Sequence, residues 1–297
     1  MHPPHRYTRP LLYLPPAMNA IRKVGILGLG KMGAPMARHL IAKGYNVAGF
    51  DPVDAARRDA IGMGVNVLDS PREVARASEL VIVVVGFDHE VEAVIFGANG
   101  VVEAGVVEAA QPGLVVAIGS TVAPRYSQRL AERLLERKIV LLDVPLARGE
   151  KAAIDGKLLI YGGGDEAAFD ACRPAFSAFA SDIFHLGPAG AGQVGKMVNN
   201  LLLWACASAS DEGLRLGEAL GVDSDQLRAA LRAGSGQNWA MDNRADLSGM
   251  PWAEKDMSIV LHEADLARLA LPLSGTIKET IKALKIRLGY GLPHGFE

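Results

Sequence analysis

Between Lys23 and Leu186, short apolar runs rich in β-branched residues alternate with stretches of helical period. The runs are Val24–Leu27, Asn46–Phe50, Leu80–Val85, Leu114–Ile118, Ile139–Leu142, Leu158–Tyr161 and Ile183–Leu186. Some are apolar without a break, as in Leu80-Val81-Ile82-Val83-Val84-Val85, the pattern of strands covered on both faces. Lys31–Ala42 and Tyr126–Lys138 repeat their apolar positions at helical spacing. Ser70-Pro71-Arg72-Glu73 reads as a capping box with proline at the first helical position. Alternation of this kind predicts an α/β unit with a doubly wound, mostly parallel sheet. The pattern changes after Gly187. Gly195–Ala219, Asp223–Arg232, Glu254–Leu269 and Ser274–Leu288 read as helices, and no strand is expected beyond Gly190. The chain thus divides into a flexible N-terminal extension (1–20), an α/β unit (21–187) and an all-helical unit (188–297) that begins with a long helix.

Composition narrows the partners. A length of 297 residues suits two domains, at roughly 150 residues each. Hydrophobic residues at 49% and charged residues at 22% leave ample material for a core. The net charge of −2 lacks the basic excess of a nucleic-acid binder. The two cysteines, Cys172 and Cys206, have neither the CxxC nor the Cys/His spacing of a metal site, so no metal is expected. They read as reduced thiols of a cytoplasmic protein. No apolar run reaches the roughly 20 residues of a membrane span. Leu201-Leu202-Leu203-Trp204-Ala205 is soon broken by Ser208, Ser210, Asp211 and Glu212. The first 20 residues lack the apolar region of a secretory signal, and Met18 is a candidate natural start.

The chemistry begins at Gly28-Leu29-Gly30-Lys31-Met32-Gly33, a G-x-G-x-x-G that follows a strand and opens a helix. In that setting Gly28 permits a tight turn, Gly30 lets a pyrophosphate approach the backbone, and Gly33 lets helix and strand pack closely. Free N–H groups and the helix dipole then hold the phosphate charge. The next strand ends at Asp51. A carboxylate there bonds ribose hydroxyls and repels a 2′-phosphate, which favours NAD. Arg57 and Arg58 nearby keep NADP as the alternative.

Three further segments accompany this loop: Gly119-Ser120-Thr121-Val122-Ala123-Pro124, the run Gly187–Asn200 containing Gly190, Gly192, Lys196 and Asn200, and Lys255-Asp256-Met257. Together with Met32-Gly33-Ala34-Pro35-Met36-Ala37, the set resembles the β-hydroxyacid dehydrogenase family from about Ile21 to Leu288. The resemblance implies a Rossmann-like NAD-binding domain followed by a helical substrate and dimerisation domain. It implies Lys196 as the catalytic lysine, Asn200 beside it on the substrate, Ser120 as a further substrate-binding residue, Thr121 near the nicotinamide, and Lys255 on the cofactor. It also implies a homodimer or homotetramer. Physical chemistry agrees on the lysine. Burial would favour its neutral amine, a proton acceptor for an alcohol. Asn200, four residues on, shares its helix face, whereas Asn199 points about 100° away and reads as structural.

One segment departs from the family. Where Asp-Ala-Pro-Val-Ser-Gly-Gly is usual, this sequence has Asp143-Val144-Pro145-Leu146-Ala147-Arg148-Gly149. Arg148 would offer a charged fork to a small anionic substrate, with Gly149 beside it. The alternative is a guanidinium in solvent or paired with Glu150. Trp239 and Trp252 fall in loops and either line the cleft or pack in the core. Two other readings stay open: reduction of another carbonyl or an imine on the same fold, and a non-catalytic NAD-binding module.

Overall fold

The computed structural model describes residues 20–97, 105–243 and 252–291. The expected N-terminal extension, apart from Ala20, lies outside them. The α/β part comprises β1 (Lys23–Leu27), α1 (Gly33–Ala42), β2 (Asn46–Phe50), α2 (Asp54–Gly62), β3 (Asn66–Val67), α3 (Pro71–Arg76), β4 (Leu80–Val83) and α4 (Asp88–Phe96). It continues with β5 (Val115–Ile118), α5 (Pro124–Leu135), β6 (Val140–Asp143), β7 (Leu146–Ala147), α6 (Gly149–Asp155), β8 (Leu158–Gly164), α7 (Glu166–Phe176) and β9 (Ala180–Gly187). The sheet order is β3-β2-β1-β4-β5-β6-β8-β7, with β9 on β8. Strands β1 to β6 run parallel, while β8 is antiparallel to β6 and β7. Two apolar layers cover the faces, one around Ile26, Met36 and Phe169, the other around Leu27, Val81 and Ile118. Burial on both faces is what the unbroken apolar runs require.

The helical part is α8 (Ala191–Ala219), α9 (Ser224–Leu231), α10 (Trp239–Asp242), α11 (Ala253–Leu266) and α12 (Pro272–Arg287). Its core gathers Trp204, Met257, Ile277, Ile281 and Leu284. Among the described residues no strand follows β9, and no helix is long and apolar enough to cross a membrane.

Several boundaries differ from expectation. Helix α8 starts four residues before Gly195, because the Asp143 carboxylate accepts its first N–H groups. Trp239 opens the short helix α10 instead of lying in a loop, while Trp252 lies in the turn before α11.

Candidate active site

The glycine loop joins β1 to α1, and each glycine has a separate reason to lack a side chain. Gly28 adopts φ 96°, and a Cβ there would strike the Val84 carbonyl. A Cβ on Gly33 would collide with the Gly28 carbonyl oxygen. A Cβ on Gly30 would meet no protein atom within 4 Å. That open space, at the N-terminus of α1, fits a pyrophosphate approaching the backbone.

Asp51 follows β2 and lies buried against this loop. Its Oδ2 accepts the Leu29 N–H at 2.8 Å and its Oδ1 accepts the Val53 N–H at 2.8 Å. Both oxygens are engaged by backbone, so the carboxylate first shapes the loop. The Leu29 side chain packs into the core, leaving only its backbone to the loop. Lys31 is exposed and pairs with Glu150 at 3.4 Å. Arg57 pairs with Asp69 at 2.9 Å and lies over the Phe50 ring.

A cleft of about 1220 Å³ opens between the C-terminal ends of the strands and the helical part. The glycine loop borders it through Gly30 and Met32, and Thr121, Arg148, Gly149, Lys196, Asn200 and Lys255 border it as well. The structure therefore brings most of the expected site residues to one cavity, at the crevice where the strand order reverses.

The first turn of α8 sets the position of Lys196. Buried Asp143, the last residue of β6, accepts the Gly190 N–H at 2.7 Å and the Gln193 N–H at 2.9 Å. Gln193 donates from Nε2 to the Ser120 carbonyl at 2.9 Å and accepts the Val122 N–H at 3.2 Å. The helix is thus tied to the ends of β5 and β6. Lys196 follows one turn later and its side chain lies half-buried beside the cleft. Among the described residues none forms a hydrogen bond or ion pair with its amine. Burial pulls its pKa below the lysine value; the charge of Asp256 opposes that pull and Lys255 adds to it.

Asp256 is the site residue that the sequence quoted only inside a motif. It is buried, and its Oδ2 accepts from Asn200 Nδ2 at 2.7 Å and from Trp204 Nε1 at 3.4 Å. Burial raises its pKa; the charges of Lys196 and Lys255 and the two hydrogen bonds oppose the rise. Lys255 ties α11 to the loops after β4 and β5, donating to the Thr121 carbonyl at 2.6 Å and the Gly86 carbonyl at 3.0 Å. The rings of Phe87 and Trp252 flank its ammonium.

Two of the expected substrate residues already have partners in the fold. Ser120 is buried, and its Oγ accepts the Val85 N–H at 2.9 Å and donates to the Val83 carbonyl at 3.5 Å. Its hydroxyl anchors the loop to β4, and the residue borders the cleft. Arg148 borders the cleft with one arm of its fork already engaged. Its Nη1 meets Asp182 at 2.6 Å, Ser181 at 3.0 Å and the Lys157 carbonyl at 3.2 Å. Its pairing partner is thus Asp182, while Glu150 is held by Lys31. Nη2 and Nε remain without an acceptor among the described residues. The residue adopts φ 81°, a conformation the family's usual glycine would take without strain.

Asp143 and Gln193 also escaped sequence reasoning. Their signal is their place inside the quoted segments, a polar side chain directly after an apolar run and another within a glycine-rich one.

The comparisons with known proteins agree with this geometry. The family model for the NAD binding domain of 6-phosphogluconate dehydrogenase matches residues 23–187. That for the NAD-binding of NADP-dependent 3-hydroxyisobutyrate dehydrogenase matches residues 190–294. An NAD-dependent L-serine dehydrogenase of Pseudomonas aeruginosa is 31% identical over 91% of this chain and 94% of its own. An L-threonate dehydrogenase of Cupriavidus necator is 33% identical over 85% of this chain and 87% of its own. Among solved structures, a Mycobacterium tuberculosis 3-hydroxyisobutyrate dehydrogenase with L-serine superposes with a TM-score of 0.80 at 26% identity, covering 90% of this chain and 94% of that one. Fold, cleft and relatives define an NAD(P)-dependent dehydrogenase or reductase acting on CH–OH groups. Within that class, the chain belongs to the β-hydroxyacid dehydrogenase family.

Proposed function

We propose that this protein transfers a hydride between NAD and a small anionic β-hydroxyacid or its semialdehyde, with Lys196 moving the proton on the substrate oxygen. The observation that carries this reading is the Lys196 amine. It has no partner among the described residues, burial lowers its pKa, and it borders the cleft one helical turn from Asn200. In oxidation the neutral amine accepts the hydroxyl proton. In reduction the ammonium polarises the carbonyl and returns the proton. Asn200 donates an N–H to a substrate oxygen, and the Asp256 carboxylate stabilises the ammonium when it forms.

The cofactor supplies hydride acceptance and donation. Gly28, Gly30 and Gly33 with the α1 N-terminus would hold its pyrophosphate, and Thr121 and Lys255 would face its nicotinamide end. NAD is favoured over NADP because a carboxylate at the end of β2, that of Asp51, would repel a 2′-phosphate, while nearby Arg57 is paired with Asp69. A small hydroxyacid is favoured by the names of the relatives, which include L-serine and L-threonate dehydrogenases. The exposed apolar residues Val198, Leu202 and Leu216 of α8 support a homodimer or homotetramer.

The test follows NAD and NADP reduction with L-serine, L-threonate, 2-(hydroxymethyl)glutarate and 3-hydroxyisobutyrate, first with the wild type and then with Lys196→Ala. Loss of roughly 10²- to 10⁴-fold in kcat, with unchanged NAD affinity, is expected for a proton-transfer residue. Wild-type turnover that survives the substitution would remove Lys196 from the chemistry. NAD binding without turnover of any hydroxyacid would favour a non-catalytic module.

A further inference from the structure

We propose that Tyr161 and Asn199 are positioning residues that fix the amide of Asn200 and, through it, the Asp256 carboxylate facing Lys196. The proposal rests on the reading of Lys196 given above and adds two residues that no motif assigned to the site.

Three hydrogen bonds run in one direction. The Tyr161 hydroxyl on β8 donates to Asn199 Oδ1 at 3.0 Å. Asn199 Nδ2 donates to Asn200 Oδ1 at 3.0 Å. Asn200 Nδ2 donates to Asp256 Oδ2 at 2.7 Å. The chain begins at a hydroxyl and ends on a buried carboxylate, so each link polarises the next. Successive residues of a helix point about 100° apart. Asn199 therefore reaches around α8 from the β8 side to the cleft side, and both asparagines border the cleft.

The direction matters because an amide looks nearly the same both ways round. With Asn199 donating to its oxygen, Asn200 has one N–H on Asp256 and a second for a ligand. The substrate atom it meets must then be an acceptor, as a carbonyl, hydroxyl or carboxylate oxygen is. Without Asn199, only the Asp256 carboxylate holds the Asn200 amide this way round, and the amide turns over more easily. Its oxygen would then face the Asp256 oxygen, two acceptors with no proton between them. Asp256 would lose a hydrogen bond that favours its ionised form, and Lys196 would lose part of its counter-charge. The other charges facing this pair are Lys255 on α11, with Asp88 and Glu90 of α4 acting on Lys255. The buried Lys285–Glu254 pair at 2.7 Å adjoins them between α12 and α11.

Asn199→Leu and Tyr161→Phe, each in the full chain, test the proposal with two readouts. The first is kcat and KM for a hydroxyacid that the wild type oxidises. The second needs no substrate: the titration of the Asp256 carboxyl carbon, followed by NMR in aspartate-labelled protein and assigned with Asp256→Asn. Asn199→Leu should lower kcat about tenfold, the equivalent of one hydrogen bond. NAD affinity should stay within about twofold, and the Asp256 titration should move to higher pH. Tyr161→Phe should shift both in the same direction by less. If Asn199→Leu does not fold, Tyr161→Phe, which removes a single oxygen, decides. An unmoved Asp256 titration together with unchanged kcat overturns the proposal, even where Lys196→Ala abolishes turnover. Turnover surviving Lys196→Ala would instead overturn the parent reading, while the NMR titration would still decide the role of Asn199.

Discussion

Gly30 and Gly33 lie three residues apart in one loop, yet alanine should act on them in opposite ways. At Gly33 a new Cβ collides with the Gly28 carbonyl oxygen, so the helix must move off the strand. Overpacking of this kind costs about 1–3 kcal/mol. For a chain of this size that corresponds to a fall in Tm of roughly 2–10 °C. At Gly30 the added methyl meets nothing, and the residue is not among the positive-φ glycines. Alanine there should leave Tm unchanged or raise it slightly, by at most about 1 kcal/mol of reduced unfolded-state freedom. Its effect falls on the cofactor, because the methyl fills the space through which the pyrophosphate reaches the backbone. At 100-fold excess over Kd, a ligand stabilises by about 2.7 kcal/mol. A tenfold weaker Kd would cut that to about 1.4 kcal/mol. Thermal melts of wild type, Gly30→Ala and Gly33→Ala, with and without NAD, measure both effects. Gly30→Ala should keep its apo Tm and lose about half of the NAD-induced rise. A full NAD-induced rise in Gly30→Ala would refute the placement of the pyrophosphate. An apo Tm lowered as far as in Gly33→Ala would refute the steric argument.

Other outcomes follow from the same geometry. Burial lowers the Lys196 pKa in the fold while the unfolded lysine stays near its ordinary 10.5. The unfolded state therefore binds more protons between the folded value and 10.5, and stability rises with pH across that window. Lys196→Met should raise Tm at pH 7, and the gain should shrink as pH approaches 10.5; differential scanning calorimetry across pH shows this. Asp143→Asn leaves one of the two N–H groups, of Gly190 or Gln193, facing an amide nitrogen. It should cost about 1–3 kcal/mol and lower kcat without changing NAD affinity, as melts and fluorescence titration would show. Arg148→Gln should raise KM for an anionic substrate at least tenfold if Nη2 and Nε reach the anion. An unchanged KM would leave the side chain as a clamp on Asp182.

The sheet was legible because its strands are buried on both faces, and burial writes itself as unbroken apolar runs. β3 and β7 are two residues each, too short to leave a pattern. β9 alternates exposed and half-buried positions along much of its length, so only its Ile183–Leu186 part stood out. The first turn of α8 was missed for a different reason. Ala191-Gly192-Gln193-Val194-Gly195 is poor in helix formers, and what holds it is a carboxylate 47 residues upstream of Gly190. The positions of Lys196 and Asn200 were readable from motifs. What their neighbours do was not, because hydroxyl and carboxylate groups such as those of Ser120 and Asp51 look available in a sequence. Only the fold shows that backbone N–H groups already share them.

The anchoring of α8 at Asp143 and Gln193 has a geometric consequence. The helix has 29 residues, so it is a rod about 43 Å long. Lys196 stands about 4.5 Å along the axis from Gln193, while Ala219 stands about 39 Å away. A 10° swing about the fixed end would carry Ala219 through about 7 Å but Lys196 through less than about 1 Å. The lysine sits near the fulcrum. A tilt at the far end of α8 would thus leave the Lys196 amine nearly where it is.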